Sequence, residues 1–277
     1  MPLNFVVNQE LCTRCGLCVK DCPVRIIERQ GDATPSIIEA EAADCMGCQH
    51  CLAICPTGAI SILGRNPKHS VPLGPGIWPD LESMERLVRG RRSVRQYKQE
   101  NVDPALLKRL LKTVANAPTG VNRQELTFRV IDDHKTMDRF RAKAMDDLAA
   151  AVAAGEIAEE FSAIERLATA YVDEGRDLVF RGAPHVLIVT APPDAPCPHE
   201  DVTLALAYFE LLAQCAGIGT VWCGLLSWVL KARPHLKADL GIPDGHLHYQ
   251  MLFGYPAIGY ARTVQRDDGA QICRIEL

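Results

Sequence analysis

Residues 12–23 read Cys12-Thr-Arg-Cys15-Gly-Leu-Cys18-Val-Lys-Asp-Cys22-Pro23, and residues 45–56 read Cys45-Met-Gly-Cys48-Gln-His-Cys51-Leu-Ala-Ile-Cys55-Pro56. Both stretches follow the spacing C-x2-C-x2-C-x3-C-P. In this spacing three cysteines hold one iron–sulfur cluster, and the fourth reaches across to the other cluster. The proline after the fourth cysteine breaks the local helix and turns the chain away. The sequence therefore predicts two [4Fe–4S] clusters.

The spacing also assigns the ligands of each cluster. One cluster takes Cys12, Cys15, Cys18 and Cys55, and the second takes Cys45, Cys48, Cys51 and Cys22. Zinc sites and disulfides are the alternatives. Zinc sites use four ligands in two pairs rather than two runs of four, and disulfides need an oxidising compartment. Residues 1–63 resemble the two-cluster bacterial ferredoxins.

The composition indicates an ordinary soluble protein of two domains. The chain has 277 residues, of which 48% are hydrophobic and 23% charged, and its net charge of −4 does not favour a nucleic-acid partner. We find no signal peptide and no run of 18 apolar residues, so we expect no membrane span and a cytoplasmic location. The four cysteines outside the runs lie in or near apolar segments and are expected to be small core residues: Cys197, Cys215, Cys223 and Cys273.

The sequence divides into a ferredoxin-like domain (1–63), a linker (64–79) and a larger domain (80–277). The linker holds four prolines and three glycines in 16 residues, which indicates a stiff, extended connector. In the larger domain, helices are expected after Asp80 and after Asp103-Pro104, and residues 135–180 are mostly helical. Strands are expected at 126–131, 186–190 and before Gly254, and a further helix at 203–217, after a loop at 192–198.

A basic cluster follows the first of these helices. Arg91, Arg92, Arg95 and Lys98 surround Ser93, with no acidic residue among them. Two structural interpretations are a solvated helix end, or cations that complement the dipole at a helix C-terminus. The functional interpretation is a site for a terminal phosphate, because guanidinium groups match phosphate oxygens bidentately and a serine adds a neutral donor.

The order of motifs in residues 80–277 resembles the nitroreductase family of FMN-dependent oxidoreductases. The order is helix, RRSVRQY, helix, APTGVNRQ, helical region, apolar strand, GIGTVWCG and GYP. With its N-terminal part, the chain resembles the ferredoxin-fused branch of that family. The resemblance implies an α+β fold: a small ferredoxin-like iron–sulfur domain, then a nitroreductase-like FMN domain with a central, mostly antiparallel sheet flanked by helices.

The resemblance also implies roles for individual residues. Around the FMN phosphate and ribityl chain it places Arg91, Arg92, Ser93 and Arg95, completed by Arg262 and Arg266. At the flavin of the neighbouring subunit it places Pro118, Thr119, Asn122 and Gln124. The backbone of Trp222, Cys223 and Gly224 would face the pyrimidine edge of the flavin. The chain departs from the family pattern in having Glu125-Leu126 where a Pro-Trp pair is common, and Ala257 where a lysine follows GYP. A homodimer is implied, since FMN lies between two subunits.

These features predict an enzyme that passes electrons between the clusters and FMN and reduces a nitroaromatic, quinone or similar conjugated acceptor. The donor would be a ferredoxin or NAD(P)H. The alternative is an electron-transfer adaptor that relays electrons between such a donor and a protein partner without a small substrate of its own. No catalytic side chain is expected, because the flavin carries the redox step. Gly217-Ile-Gly219 lacks the third glycine of a dinucleotide-binding motif, and Cys223 has no evident base beside it.

Overall fold

The computed structural model describes residues 3–266 and 269–276, and the chain forms two compact units. The first unit comprises Met1–Trp78 together with Val121–Arg123, and the second comprises Pro79–Gly120 and Gln124–Leu277. Most of the expected linker, up to Trp78, therefore belongs to the first unit.

The first unit contains short strands and helices arranged as a repeat. In chain order they are β1 (Val6–Val7), α1 (Leu17–Asp21), β2 (Ile27–Glu28), β3 (Ser36–Ile37), α2 (His50–Ala53) and β4 (Ile60–Ser61). β1 pairs with β4 and β2 with β3, both antiparallel. One helix follows the second cysteine of each run. The 3-10 turns of the chain are Glu39–Asp44, Pro67–His69, Gly120–Asn122 and Glu159–Ile164.

The two cysteine loops share one backbone conformation. Arg14 and Gly16 in the first run have φ angles of 57° and 72°, and Gly47 and Gln49, at the same positions of the second run, have 64° and 59°. Alternating left-handed residues curl each loop so that its cysteines point inward. The core beside the loops is small, consisting of Ile26, Ile27, Leu52, Ile60 and Ile62 with Cys18 and Cys51. A core of this size is marginal alone, so bound clusters would add folding free energy.

The second unit is built on one four-stranded sheet. Its elements are α3 (Leu81–Gly90), α4 (Pro104–Val114), β5 (Thr127–Ile131), α5 (His134–Ala153), α6 (Glu165–Glu174), β6 (His185–Ala191), α7 (Pro198–Cys215), β7 (Gly219–Trp222), α8 (Gly224–Ala232), α9 (Leu236–Asp239) and β8 (Leu247–Gly254). The strand order is β5-β6-β8-β7, and every neighbouring pair is antiparallel. The expected α+β class with an antiparallel sheet is confirmed. No helix formed by the described residues is long and apolar enough to cross a bilayer.

Both faces of the sheet are covered, which explains why β6 is mostly apolar, with His185 and Thr190 as its two polar residues. Leu187 and Val189 point to the face that packs on α4 and α7, whereas Val186 and Ile188 point to the face covered by α5 and α8. All seven residues of β6 are buried. The sheet is therefore the centre of two hydrophobic cores.

Two helix starts follow the sequence signals. Asp80 accepts a hydrogen bond from the Ser83 amide (2.9 Å), and Asp103 accepts one from the Ala105 amide (2.9 Å), with Pro104 at the first helical position. The helix α7 begins at Pro198 rather than at residue 203, so the expected loop at 192–198 is shorter. The helices α8 and α9 were not expected from the sequence. The helix α8 exposes the apolar Trp228 while it buries Leu226 and Val229, which weakens the contrast between its two faces, and α9 has only four residues.

Two glycines stand opposite each other on β7 and β8. Gly219 pairs with Gly254 in register. A Cβ on Gly219 would lie 2.5 Å from Val94 Cγ2, and a Cβ on Gly254 would lie 2.5 Å from Pro184 Cγ. Gly219 thus lets residues 93–94 lie directly on the sheet edge, which is a packing role rather than nucleotide binding.

We predict that Gly219→Ala destabilises the protein by about 1–3 kcal/mol, because Val94 would have to move away from β7. The measurement is the free energy of unfolding in denaturant. Gly259→Ala is the matched control, since a Cβ there meets no atom within 4 Å. An unchanged stability for Gly219→Ala would show that the 93–94 segment is not held in this position.

Candidate functional site

The eight cysteines of the two runs line two separate cavities in the first unit. The first cavity is lined by Cys12, Cys15, Cys18 and Cys55. The second is lined by Cys22, Cys45, Cys48 and Cys51. The fourth cysteine of each run therefore lines the same cavity as the first three cysteines of the other run.

The thiols of the two cavities have different surroundings. The backbone N–H of Leu17, and next the side chain of Thr13, lower the pKa of the exposed Cys15 thiol. Burial raises the pKa of Cys18, and that of Cys51 to about 11. The amide of Ala59 donates to Cys55 Sγ at 3.2 Å. Iron binds thiolates, so the buried thiols must lose protons when a metal binds. Hydrogen bonds to sulfur also adjust a cluster's reduction potential.

Each cavity brings together four cysteines, which is the number of thiolates that a [4Fe–4S] cluster takes. Within residues 3–266 and 269–276, no group of three or more His, Cys, Asp or Glu side chains is close enough to hold a single ion.

In the second unit, the segment that begins at Ser93 lies between β7 and the chain after β8. The Val94 amide donates to the Thr220 carbonyl oxygen (2.8 Å), and the Lys98 amide to that of Tyr255 (2.9 Å). Further along, the Tyr260 hydroxyl donates to the Ser93 carbonyl oxygen at 3.4 Å. The basic cluster and the chain leading to Arg262 are therefore brought together. Arg262 and Arg266 themselves are exposed.

The three arginines of the cluster differ in their partners. Arg91 Nη1 donates to Glu210 Oε1 at 3.1 Å. Arg92 Nη2 donates to the Arg89 carbonyl oxygen. The Nε of Arg92 is buried and has no hydrogen-bond partner in the part of the chain that the structure describes. Arg95 is exposed and donates to the Ser93 carbonyl oxygen (3.3 Å). An unpaired, buried guanidinium nitrogen is suited to an anionic ligand.

A cavity of about 170 Å³ adjoins this cluster. Four of its lining residues come from the predicted set: Arg95, Trp222, Cys223 and Gly224. The sequence reading missed Arg181, which also lines the cavity and has a left-handed φ of 55°. A left-handed φ is uncommon at an arginine, but it is a property of the folded chain and cannot be recognised in the sequence. Two guanidinium groups thus reach a cavity that contains no carboxylate among its lining residues.

Cys223 has a packing role rather than a nucleophilic one. Its thiol is buried and donates to the Val179 carbonyl oxygen at 3.4 Å. Burial raises the pKa of Cys223 to about 12. The thiol is therefore uncharged near neutral pH, and the thiolate is the nucleophilic form.

The APTGVNRQ loop has a strained backbone. Val121 and Gln124 are left-handed, with φ angles of 44° and 53°. The loop is held by the Gly120 amide, which donates to the buried Asp201 (2.9 Å), and by the Gln124 amide, which donates to Thr119 Oγ1 (3.0 Å). None of the loop residues lines the 170 Å³ cavity of the described chain. Strain of this kind costs about 1–3 kcal/mol per residue and is typical of functional segments.

Two further loop residues belong to the predicted set, Asn122 and Pro118. Asn122 belongs to the first unit, where its side-chain amide donates to the Met46 carbonyl oxygen at 2.9 Å. Pro118 is exposed. The structure therefore brings together predicted residues of the basic cluster, β7 and α8, since Arg95, Trp222, Cys223 and Gly224 line one cavity.

Comparison with known proteins agrees with both halves of the chain. A model of the nitroreductase family matches residues 88–255, more than half of the chain. A model of the 4Fe-4S dicluster domain matches residues 11–59. The family resemblance noted in the sequence is confirmed by these matches.

Two relatives each match only one of the two parts of the chain. The methylamine utilization ferredoxin-type protein MauM of Methylobacillus flagellatus is 40% identical over 62 residues, but the chain spans only 26% of that protein. Iodotyrosine deiodinase of Thermotoga neapolitana is 27% identical over 147 residues, which are 51% of this chain and 73% of the relative.

A solved structure shares the fold of the second unit. The crystal structure of a nitroreductase with bound FMN from Bacteroides fragilis NCTC 9343 superposes with a TM-score of 0.56 at 21% identity, over 71% of this chain and 100% of that one. The family matches make the chain an oxidoreductase of nitroreductase type. The chain belongs to the nitroreductase family and carries a 4Fe-4S dicluster domain ahead of its nitroreductase domain.

Proposed function

We propose that the protein is an FMN-dependent oxidoreductase that passes electrons between two [4Fe–4S] clusters and FMN and reduces a nitroaromatic, quinone or similar conjugated acceptor. The observation that carries this proposal is the presence, on one chain, of two four-cysteine cavities and of an arginine cluster beside a cavity in the nitroreductase domain. Clusters supply one-electron transfer, and a flavin couples it to two-electron chemistry on an organic molecule.

The cysteines would hold the clusters in the crossed arrangement. Cys12, Cys15, Cys18 and Cys55 bind the first cluster, and Cys22, Cys45, Cys48 and Cys51 bind the second. Since these thiols must stay reduced until iron binds, the proposed location is the cytoplasm.

The arginine cluster would hold the phosphate end of FMN. Arg92 offers the unpaired buried Nε, Arg95 reaches the cavity, and Ser93 stands between them. The other proposed residues of the phosphate site are Arg91, Arg262 and Arg266. The backbone of Trp222, Cys223 and Gly224 would face the ring, and the loop residues Pro118, Thr119, Asn122 and Gln124 would serve the flavin of the partner subunit.

The charge of the two sequence segments supports a fused donor and acceptor. Residues 1–63 have four basic and seven acidic side chains, a net charge of −3, whereas residues 65–113 have eleven basic and five acidic ones, a net charge of +6. Opposite charges favour an encounter between an anionic electron carrier and a basic flavin site. The net positive charge of residues 65–113 would also suit an external ferredoxin as donor.

The protein is proposed to form a homodimer. The helix α3 is strongly amphipathic, yet none of its residues is buried in one subunit. Leu81, Met84 and Val88 on its apolar face are 74%, 40% and 52% exposed. A second copy of the chain is the proposed cover for this face, and the flavin site would be completed by it.

The electron acceptor can be tested by anaerobic stopped-flow reoxidation. Protein reduced with dithionite is mixed with a panel of nitroaromatics, quinones and 3-iodotyrosine, the last suggested by the deiodinase relative. We expect at least one conjugated acceptor to reoxidise the flavin faster than buffer alone. If only a protein partner reoxidises the flavin, the hypothesis of an enzyme with its own small substrate is contradicted, and the electron-transfer adaptor is favoured. A separate titration with NADPH tests whether this nucleotide is the donor.

The crossed ligand sets predict the outcome of two double substitutions. Cys12→Ala with Cys55→Ala removes two ligands of one cluster, so about four irons per chain should remain of about eight. Cys12→Ala with Cys22→Ala removes one ligand from each cluster, so the loss of iron should be greater. The measurement is iron and sulfide content, with the exposed Cys215→Ala as control.

The reverse order of these two iron contents would refute the crossed arrangement. Flavin content, measured on the same samples, reports whether the second unit is still folded.

The dimer predicts that Val88→Glu gives a monomer with weakened FMN binding, because a charge would enter the apolar contact. Light scattering during gel filtration measures the mass, and absorbance measures the flavin. Arg86→Gln is the matched control, since Arg86 lies on the polar face and makes only an exposed ion pair with Glu82 (3.3 Å). A Val88→Glu dimer with full flavin content would contradict the proposal.

A further inference from the structure

Glu210 is a buried carboxylate in the middle of an apolar helix face. It lies on α7, where its neighbours Leu206, Phe209 and Ala213 are buried in the core beneath the sheet. Only 9% of the Glu210 side chain is exposed. A carboxylate at such a position is costly unless its oxygens are paired. Its partners therefore explain why a glutamate can stand there.

Three donors from two other segments converge on this carboxylate. Arg91 Nη1 donates to Oε1 at 3.1 Å, and Trp222 Nε1 donates to Oε2 at 3.2 Å. The hydroxyl of Thr220 donates to Oε1 at 3.4 Å. Thr220 and Trp222 are two residues apart on β7, so both side chains lie on the face of the strand that meets α7.

The donors belong to the segments that carry the proposed FMN residues. Arg91 starts the basic cluster, and its side chain is 29% exposed, three times as much as that of Glu210. Trp222 lines the cavity beside Cys223 and Gly224. The Val94 amide, which donates to the Thr220 carbonyl oxygen, already fixes the backbone of the two segments to each other. Glu210 additionally holds the side chains of Arg91 and Trp222, because both donate hydrogen bonds to its carboxylate.

The Arg91 guanidinium has more donors than Glu210 uses. A guanidinium carries five N–H donors in a planar fork. Glu210 accepts from one terminal nitrogen of Arg91, and this hydrogen bond restricts the rotamers that the arginine side chain can adopt. The remaining N–H groups of Arg91 therefore keep their direction before a ligand binds. An unrestrained arginine would lose side-chain rotamer entropy when it binds the ligand, and this loss is smaller for Arg91.

We propose that Glu210 is a positioning residue that holds Arg91 and the Trp222 indole in place for FMN, chiefly for its phosphate end. This inference rests on the proposed function, since it presupposes that the arginine cluster receives a phosphate. Glu210 touches no ligand itself. Its effect on binding acts through the direction of the Arg91 guanidinium.

The test compares the affinity of the apoprotein for FMN and for riboflavin, which lacks the phosphate. Glu210→Gln keeps the side-chain volume, but one of its two terminal atoms becomes an NH₂ group that cannot accept from Arg91 or Trp222. We expect FMN binding to weaken by about tenfold, the effect of about one charged hydrogen bond, and riboflavin binding by less than about twofold. Glu200→Gln, at an exposed position of the same helix, should change neither affinity.

A second variant keeps the inference testable if Glu210→Gln folds poorly. Arg91→Lys retains the positive charge but has no planar fork with which to hold Glu210 and a phosphate together. It should also weaken FMN more than riboflavin. In the double variant with Glu210→Gln, the FMN loss should be no greater than in Arg91→Lys alone, because both substitutions remove one interaction.

Equal weakening of FMN and riboflavin in these variants would overturn the inference, since a merely structural glutamate affects both ligands alike. Unchanged or tighter FMN binding in Glu210→Gln would overturn it too. The proposed function fails separately: wild-type protein would then show no preference for FMN over riboflavin.

Discussion

The exchange of Cys22 and Cys55 between the two cysteine runs is the constraint on which the first unit depends. Each of these thiols stands with three cysteines that are more than twenty residues away in the sequence. The repeated left-handed loops bring the three local thiols together, and the exchange adds a link between the two halves of the repeat, which the antiparallel pairing of β1 with β4 and a shared apolar core also connect. Because this core is small, bound clusters would add to the stability of the unit. Cluster binding and folding are therefore coupled in this part of the chain.

The second unit holds several positively charged side chains in place beside one cavity. Gly219 removes the Cβ that would keep the basic segment away from β7, and the Val94 amide pairs with the strand edge. Glu210 accepts a hydrogen bond from one nitrogen of Arg91, while the Nε of Arg92 stays without a partner in the described chain and Arg95 lines the cavity. The basic segment is thus held by backbone pairing with β7, and the half-buried Arg91 is held in addition by a carboxylate.

The features that could be predicted from the sequence are those whose causes are local. The cysteine spacing, the Asp80 cap and the Asp103-Pro104 start each depend on residues within one or two turns. The features that could not be predicted depend on distant partners. Glu210 accepts a hydrogen bond from Arg91, which lies 119 positions earlier in the sequence. Arg181 lines the cavity because of the path that the loop before β6 takes. The helix α8 was missed because its exposed face carries Trp228, so its sequence shows little contrast between apolar and polar positions.

The proposed function requires iron–sulfur clusters and a phosphate-bearing flavin on the same polypeptide. Quantitative analysis of iron, acid-labile sulfide and flavin in anaerobically purified protein tests this most directly, supported by the low-temperature electron paramagnetic resonance spectrum of the reduced sample. We expect about eight irons, about eight sulfides and about one FMN per chain, with signals of reduced [4Fe–4S] clusters. Zinc in place of iron, or full cluster content with no flavin after reconstitution with FMN, would contradict it.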